Sequence, residues 1–331
     1  MKARLIINPI SGTQSKEGLA DAVVSALSPY GWTIETCYTA GHGDATRLAA
    51  EAAASGYDVV LAAGGDGTVN ETAAALCDTG TALGLLPCGS GNGLARHLNI
   101  PIDIPEALKI LASERPRAID YATVDSDDGP LKFFCTFGVG FDARVSEAFA
   151  RQPKRGKFTY LKSTFQTFAS FVPEEYIITA NGIVVSERAL LVAVCNASQY
   201  GNNAYIAPGA KIDDGLLDVT IIHAGSPLST ALVGFDLLAG NLGKNLQIHT
   251  FRTPSLSIRR KGRDVAHVDG EPIYLPELIN IECHPSAVNV FATANIGVVK
   301  PFVTPVMAAM TDVRLAVNKL LRRAEERLTT L

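Results

Sequence analysis

Between Arg4 and Ala112 the chain alternates short apolar runs with stretches of helical spacing. The runs Arg4–Asn8, Thr33–Tyr38, Tyr57–Ala63 and Leu83–Pro87 predict strands, the first ending in the turn signal Asn-Pro. Helical spacing covers Glu17–Leu27, Asp44–Ala54, Asn70–Leu76, Gly91–Leu98 and Pro105–Ala112, with Asp44 where a helix dipole favours an acid. This alternation predicts an α/β unit, a parallel sheet with helices on both faces.

Beyond Tyr121 the rhythm changes to short runs rich in Val, Ile, Thr and Phe. Tyr176–Thr179, Leu190–Cys195, Leu217–Ile222, Leu256–Arg260, Ala266–Val268, Ile279–Cys283 and Val288–Ala292 read as strands, separated by turns such as DDGP, NG, DDG and KGR. They predict antiparallel sheet, a β-sandwich. Helical stretches interrupt it at Asp142–Ala150, running into Phe158–Phe171, and at Leu228–Gly240. Thr304–Leu331 is helical again, with an apolar seam from Met310 to Leu328 that suits packing on the first unit or on the partner of a homodimer.

Composition narrows the class. Of 331 residues, 47% are hydrophobic and 19% charged, enough for a sizeable core. A net charge of −4 makes no global case for nucleic acid, so that partner is not expected. The six cysteines form no CxxC pair and the six histidines no HExxH cluster, pointing to reduced thiols in a cytoplasm and away from zinc. The apolar stretch Leu228–Leu242 contains Asp236 and falls short of the ~18 residues of a membrane span. The apolar part of the N-terminus is too short for a signal peptide. A soluble protein is the expectation.

Three loops follow predicted strands and precede predicted helices: NPISG (8–12), GGDGTVN (64–70) and PCGSGNG (87–93). Ligands of open α/β sheets bind at such positions, where glycine N–H groups and helix N-termini cradle phosphate. Ser11, Thr13, Thr68 and Ser90 add hydroxyls. No GxxxxGK[ST] is present, and GSGNG lacks the later acid of a dinucleotide fingerprint. Asp66 would repel the anion unless it faces a Mg²⁺ or a hydroxyl that loses its proton; both imply phosphoryl transfer.

Taken together, NPISG, GGDGTVNE, PCGSGNGLARHL and VDGEP (268–272) resemble the diacylglycerol kinase catalytic family over roughly residues 2–300. The resemblance implies a three-layer α/β/α nucleotide-binding domain over 1–122, joined again by 296–331, and a β-sandwich lipid-binding domain over 123–295. It implies ATP and Mg²⁺ as cofactors and a lipid alcohol as substrate. Asn8, Ser11, Gly12 and Thr39 would line the nucleotide, with Gly64, Gly65, Asp66, Gly67, Thr68 and Asn70 around its phosphates and Ser90 beside them. Glu271 matches the general base on the lipid hydroxyl, at a domain interface where partial burial would favour that role; a plain Asp-Gly hairpin turn with a solvated glutamate is the other reading. Asp120 matches an acid of a carboxylate–water–Mg²⁺ network. In KIDDGLLDV, the backbone carbonyls of Lys211 and Leu216 and the carboxylate of Asp214 match a structural Mg²⁺ site, with a plain type I turn as the alternative. Asp142 matches an acid near the lipid head group, or serves as a helix N-cap.

One position departs from the bacterial pattern: Gly93 stands where an aspartate of GTxND would be, so the loop looks more like those of sphingosine and ceramide kinases. A sphingoid base then joins diacylglycerol among the expected acceptors. The basic, aromatic segment 151–168, with RRKGR (259–263), suits peripheral contact with a membrane surface. Two alternatives stand beside the lipid kinase: a non-catalytic nucleotide- or lipid-binding regulator, and an NAD kinase.

Overall fold

A computed structural model describes residues 1–12, 16–152, 171–201, 204–225 and 245–293, with single positions between 230 and 242. Thr13, most of 151–168, most of Leu228–Gly240, and the expected helix and domain return in 296–331 lie outside the described residues.

The first half alternates as its pattern predicts. Strands β1 (Lys2–Ile7), β2 (Thr33–Tyr38), β3 (Val59–Gly64) and β4 (Ala82–Pro87) form a parallel sheet in the order β2-β1-β3-β4. Helices α1 (Leu19–Leu27) and α5 (Ile104–Ser113) meet each other, as do α2 (Asp44–Ala54) and α3 (Asp66–Leu76). Every residue of β3 and β4 is buried, as expected of strands covered on both sides. α3 starts at Asp66, four residues before the apolar spacing shows it, because glycines and short polar residues fill its first turn. The short α4 (Gly93–His97) follows the third glycine loop.

The second half is antiparallel. It comprises β5 (Pro116–Val124), β6 (Leu131–Phe133), β7 (Thr136–Gly140), β8 (Glu174–Ala180), β9 (Ile183–Cys195), β10 (Leu217–His223), β11 (Ile248–Thr253), β12 (Ser255–Arg259), β13 (Asp264–Val268), β14 (Glu271–Leu275) and β15 (Leu278–Phe291), with helix α6 (Phe141–Ala150) after β7. Alternating burial along β8 and β15 packs one face into a core of its own, distinct from that of the parallel sheet.

The separately predicted strands Ile279–Cys283 and Val288–Ala292 are one strand, β15, with a register shift between His284 and Val288. Beyond that irregularity β15 pairs in parallel with β4 through Val290 and Leu83, and the Phe291 ring packs 5.7 Å from Trp32. One strand therefore belongs to both sheets, and the two cores are held at a fixed offset. Together these features are an N-terminal α/β domain followed by a β-sandwich domain, as the pattern predicts.

Candidate active site

The three glycine loops meet at the carboxyl ends of β1, β3 and β4. Asn8 donates from Nδ2 to Thr68 Oγ1 at 2.9 Å, tying the first loop to α3, and Ser11 Oγ donates to Asn8 O. Gly12 has φ +70°, and a Cβ there would lie 1.9 Å from Cys88 O, so only glycine lets the first loop touch the third. Thr39 closes the group just after β2, its N–H bonded to Ile7 O. Ser90 is exposed at the tip of the third loop.

Asp66 is the knot of this assembly. Its Oδ2 accepts the N–H of Asn92 at 2.9 Å and its Oδ1 that of Gly93 at 2.7 Å. Asn92, at φ +54°, brackets Gly89 from its own side chain, donating to Gly89 O and accepting Gly89 N–H. The acid among the glycines thus sits at the start of α3 and, through both oxygens, fixes the third loop beside the second. Gly93 begins α4, and a Cβ there would meet Cys135 Sγ at 3.5 Å and the Tyr200 and Gln199 carbonyls at 3.6 and 3.7 Å, ordinary contacts. The position has room for a Cβ.

The sandwich domain reaches this centre through the β13–β14 hairpin. Asp269 (φ +47°) and Gly270 (φ +86°) form its turn, as the sequence suggests. The Asp269 carboxylate does more than turn the chain. It accepts N–H groups of Phe134, Cys135 and Thr136 at 2.9, 2.8 and 2.8 Å, and Nδ2 of Asn70 at 2.8 Å. Burial pushes its pKa up, against four hydrogen bonds that favour the ionised form. Asn70 is thereby a bridge from α3 to the sandwich. Glu271 follows the turn: a Cβ on Gly67 would lie 4.0 Å from Glu271 Oε1, so the carboxylate faces the first turn of α3. Glu271 is exposed, where partial burial is the expectation, because it opens β14 beyond the buried side of the turn.

Asp120 is fully buried and belongs to another neighbourhood. Its oxygens accept the N–H groups of Gly215 and Ser286, both at 2.7 Å, and burial raises its pKa with Asp214 and Asp213 close by. Asp214 accepts Leu216 N–H at 3.2 Å and pairs with Arg252 Nη1 at 3.2 Å, while Arg252 Nε reaches Asp218 at 3.1 Å. Lys211 is exposed beside them. Asp120 thus joins the KIDDG loop, and its carboxylate and that of Asp66 have no bonding partner in common. Among the described residues no group of three or more His, Cys, Asp or Glu side chains could hold a metal ion. In the KIDDG loop the Asp214 carboxylate is engaged by one N–H group and one guanidinium.

Asp142 is not the cap of α6; Gly140 is. The Asp142 carboxylate is buried against Tyr200 and His267 instead. Of RRKGR, Arg260 is buried and donates to the carbonyls of Asp264, Val265, Leu275 and Pro276, while Arg259 and Arg263 pair with Glu277 and Asp127. Arg260 is thus withdrawn from the surface, while Arg259, Lys261 and Arg263 stay exposed. Among the described residues no helix is long and apolar enough to cross a membrane.

Sequence reasoning missed Asn92, Asp269, Arg252 and His267 as organising groups. The first two lie in quoted motifs, so GSGNG and VDGEP carried a signal; Arg252 and His267 carry none without the fold.

Residues 2–124 match the model of the diacylglycerol kinase catalytic domain, and 135–292 that of the YegS C-terminal NAD kinase beta sandwich-like domain. A probable lipid kinase YegS-like protein of Pseudomonas fluorescens is 33% identical over 277 residues, 82% of this chain and 89% of its own. One from Xanthomonas campestris pv. campestris is 33% identical over 279 residues, 81% and 89% of the two chains. The crystal structure of a putative diacylglycerol kinase from Bacillus anthracis shares the fold, with a TM-score of 0.72 at 24% identity over 88% of this chain and 97% of that one. With both domains matched in order and the loops meeting as described, the chain belongs to the YegS-like lipid kinase family, built on the diacylglycerol kinase catalytic domain.

Proposed function

We propose that the protein transfers the γ-phosphoryl group of ATP to the hydroxyl of a membrane-derived lipid: diacylglycerol, a sphingoid base or a related alcohol. The observation that carries the reading is the approach of Glu271 from the sandwich domain to Gly67, in the first turn of a helix whose loop suits phosphate.

In this reading the loop N–H groups, with Asn8, Ser11, Thr39, Thr68, Asn70 and Ser90, hold the nucleotide at the helix N-termini. Asp66 keeps the second and third loops in register. Glu271 accepts the proton of the lipid hydroxyl as its oxygen bonds to the γ-phosphorus; the bond from that phosphorus to the β–γ bridging oxygen breaks, leaving ADP and the phosphorylated lipid. A general base of this kind contributes ~10²–10⁴ in rate. Mg²⁺ would enter with ATP and neutralise charge on its phosphates. Because the acceptor sits in a membrane, the reading includes peripheral binding to its cytoplasmic surface.

The test is ATP-dependent phosphate incorporation into diacylglycerol, sphingosine, dihydrosphingosine, ceramide and phosphatidylglycerol side by side, with NAD as a control acceptor. Labelling of one lipid is expected; ATP binding with no lipid labelled overturns the reading. Gly93 motivates the second reading, a non-catalytic nucleotide- and lipid-binding regulator, and a measured turnover number removes it.

A further inference from the structure

Behind the hairpin turn that carries Glu271 lies a buried acid–imidazole pair. Asp142 Oδ1 accepts Ala143 N–H at 2.8 Å; its Oδ2 accepts the Tyr200 hydroxyl at 2.8 Å and meets His267 Nε2 at 3.1 Å. Asp142 is 6% exposed and His267 1%. A carboxylate this deep is retained only where donors surround it, and all three of these partners are donors.

The strand beneath has given up a side chain to make room. His267 lies opposite Gly138 in the β13–β7 ladder, and a Cβ on Gly138 would lie 2.2 Å from Asp142 Oδ2 and 2.4 Å from His267 Nε2. The Tyr200 ring meets the imidazole edge-on, with centroids 5.9 Å apart.

The other ring nitrogen faces the turn. His267 Nδ1 accepts the N–H of Gly270 at 3.4 Å, so the ring proton belongs on Nε2, directed at Asp142. Gly270 is the residue before Glu271. The turn is thus held from two sides: Asp269 fastens it to α3 and the β6–β7 connection, and His267 fastens it to α6 and Tyr200.

We propose that Asp142, His267 and Tyr200 form a positioning network that holds the Glu271 turn against the phosphate loops, and that Asp142 serves this network and not the lipid head group. The network deepens the lipid-kinase reading and its catalytic consequence rests on it; the geometry of the turn does not. The three are positioning residues, since His267 touches the turn backbone and the other two act through His267.

Two variants separate the ends of the network. His267→Asn keeps an acceptor where Nδ1 stood and gives up the reach to Asp142. His267→Gln keeps a donor where Nε2 stood and gives up the acceptor at Gly270. With the best lipid of the panel above, His267→Gln is expected to lower kcat about tenfold to a hundredfold with the KM for ATP unchanged, as befits a misplaced base. His267→Asn, which keeps the acceptor but loses the link to Asp142 that orients it, should lower kcat by a smaller factor, about threefold to tenfold, even though it loses the buried pair and melts at a lower temperature. A purely structural role predicts the reverse order, with kcat following melting temperature, and that result overturns the proposal.

Amide exchange of Gly270, followed by NMR without ATP or lipid, reads the turn directly. Exchange roughly fivefold to tenfold faster in His267→Gln than in His267→Asn is expected for one lost hydrogen bond. Equal exchange in both variants and the wild type overturns the proposal. If the wild type labels no lipid, the kinase reading has failed, while the exchange result still decides whether His267 holds the turn.

Discussion

Two seams converge at the candidate site, and they are built differently. The first lies inside the α/β domain, where Asp66 gathers two N–H groups of the third loop and Asn8 reaches Thr68. Its members lie within one run of strand–loop–helix units. The second joins the two domains, where Asp269 gathers three N–H groups and Asn70, and His97 meets Ser198. Its partners stand 101 to 199 residues apart. Each seam is centred on an Asp-Gly pair, and in each the carboxylate accepts N–H donors through both oxygens. The difference is what each holds: the first shapes the glycine loops, and the second decides where Glu271 stands above them. The glycine-loop cradle could therefore stay intact while the carboxylate above it is displaced.

Glu271→Gln tests that separation most sharply. It should lower lipid phosphorylation by ~10²–10⁴ with nucleotide affinity and melting temperature retained; activity within a few-fold of wild type would remove Glu271 from the chemistry. Asp269→Ala strikes the second seam itself. It strands three N–H groups and Asn70, and a loss of about 3 kcal/mol or more in urea unfolding is expected, along with loss of turnover.

The same seam should respond to acid through His97. Its Nδ1 accepts Ser198 N–H at 3.1 Å, its Nε2 finds no partner among the described residues, and burial lowers its pKa from 6.5 to about 4. Between those values only the unfolded chain takes up the proton. The stability of the neutral ring is therefore full above pH 6.5 and lost as pH falls toward 4, up to about 3 kcal/mol. His97→Asn should flatten that part of the stability–pH curve relative to wild type; parallel curves would show that the ring does not titrate there.

Asp66→Asn addresses the first seam. One oxygen becomes an NH₂ group facing an N–H donor, so a stability loss of ~1–3 kcal/mol and weaker ATP binding by calorimetry are expected, while the Gly270 amide keeps its protection. Arg252→Met is expected to have the smallest effect, about 1 kcal/mol, since the Arg252 side chain is 37% exposed. The wild-type melting temperature should stay level on adding Mg²⁺ at constant ionic strength, because Arg252 already compensates Asp214 and Asp218. A saturable rise lost in Asp214→Asn would instead assign a cation to the KIDDG loop.

Much of this was legible in the chain. Thr33–Tyr38 and Asp44–Ala54 have the predicted limits, since each has a clean period and clear ends. The start of α3 was not legible, because GGDGTVN has no apolar period, and β15 read as two strands because its irregularity interrupts the alternation. RRKGR reads as a surface patch, and Arg259, Lys261 and Arg263 are exposed, but Arg260 is buried, satisfied by carbonyls from residues 264 to 276 that no local pattern announces.

By itself the sequence determined the two textures of the fold, the three glycine loops at strand ends and the motifs that mark the lipid kinase family. These depend on local periods and on backbone freedom, which neighbours along the chain specify. Only the tertiary structure decided what each acid does: Asp66 ties loops, Asp269 ties domains, Asp120 and Asp214 tie the KIDDG loop, and Asp142 ties an imidazole. The physical reason is that a carboxylate's role is set by the donors that surround it, and here most of those donors are distant from it along the chain.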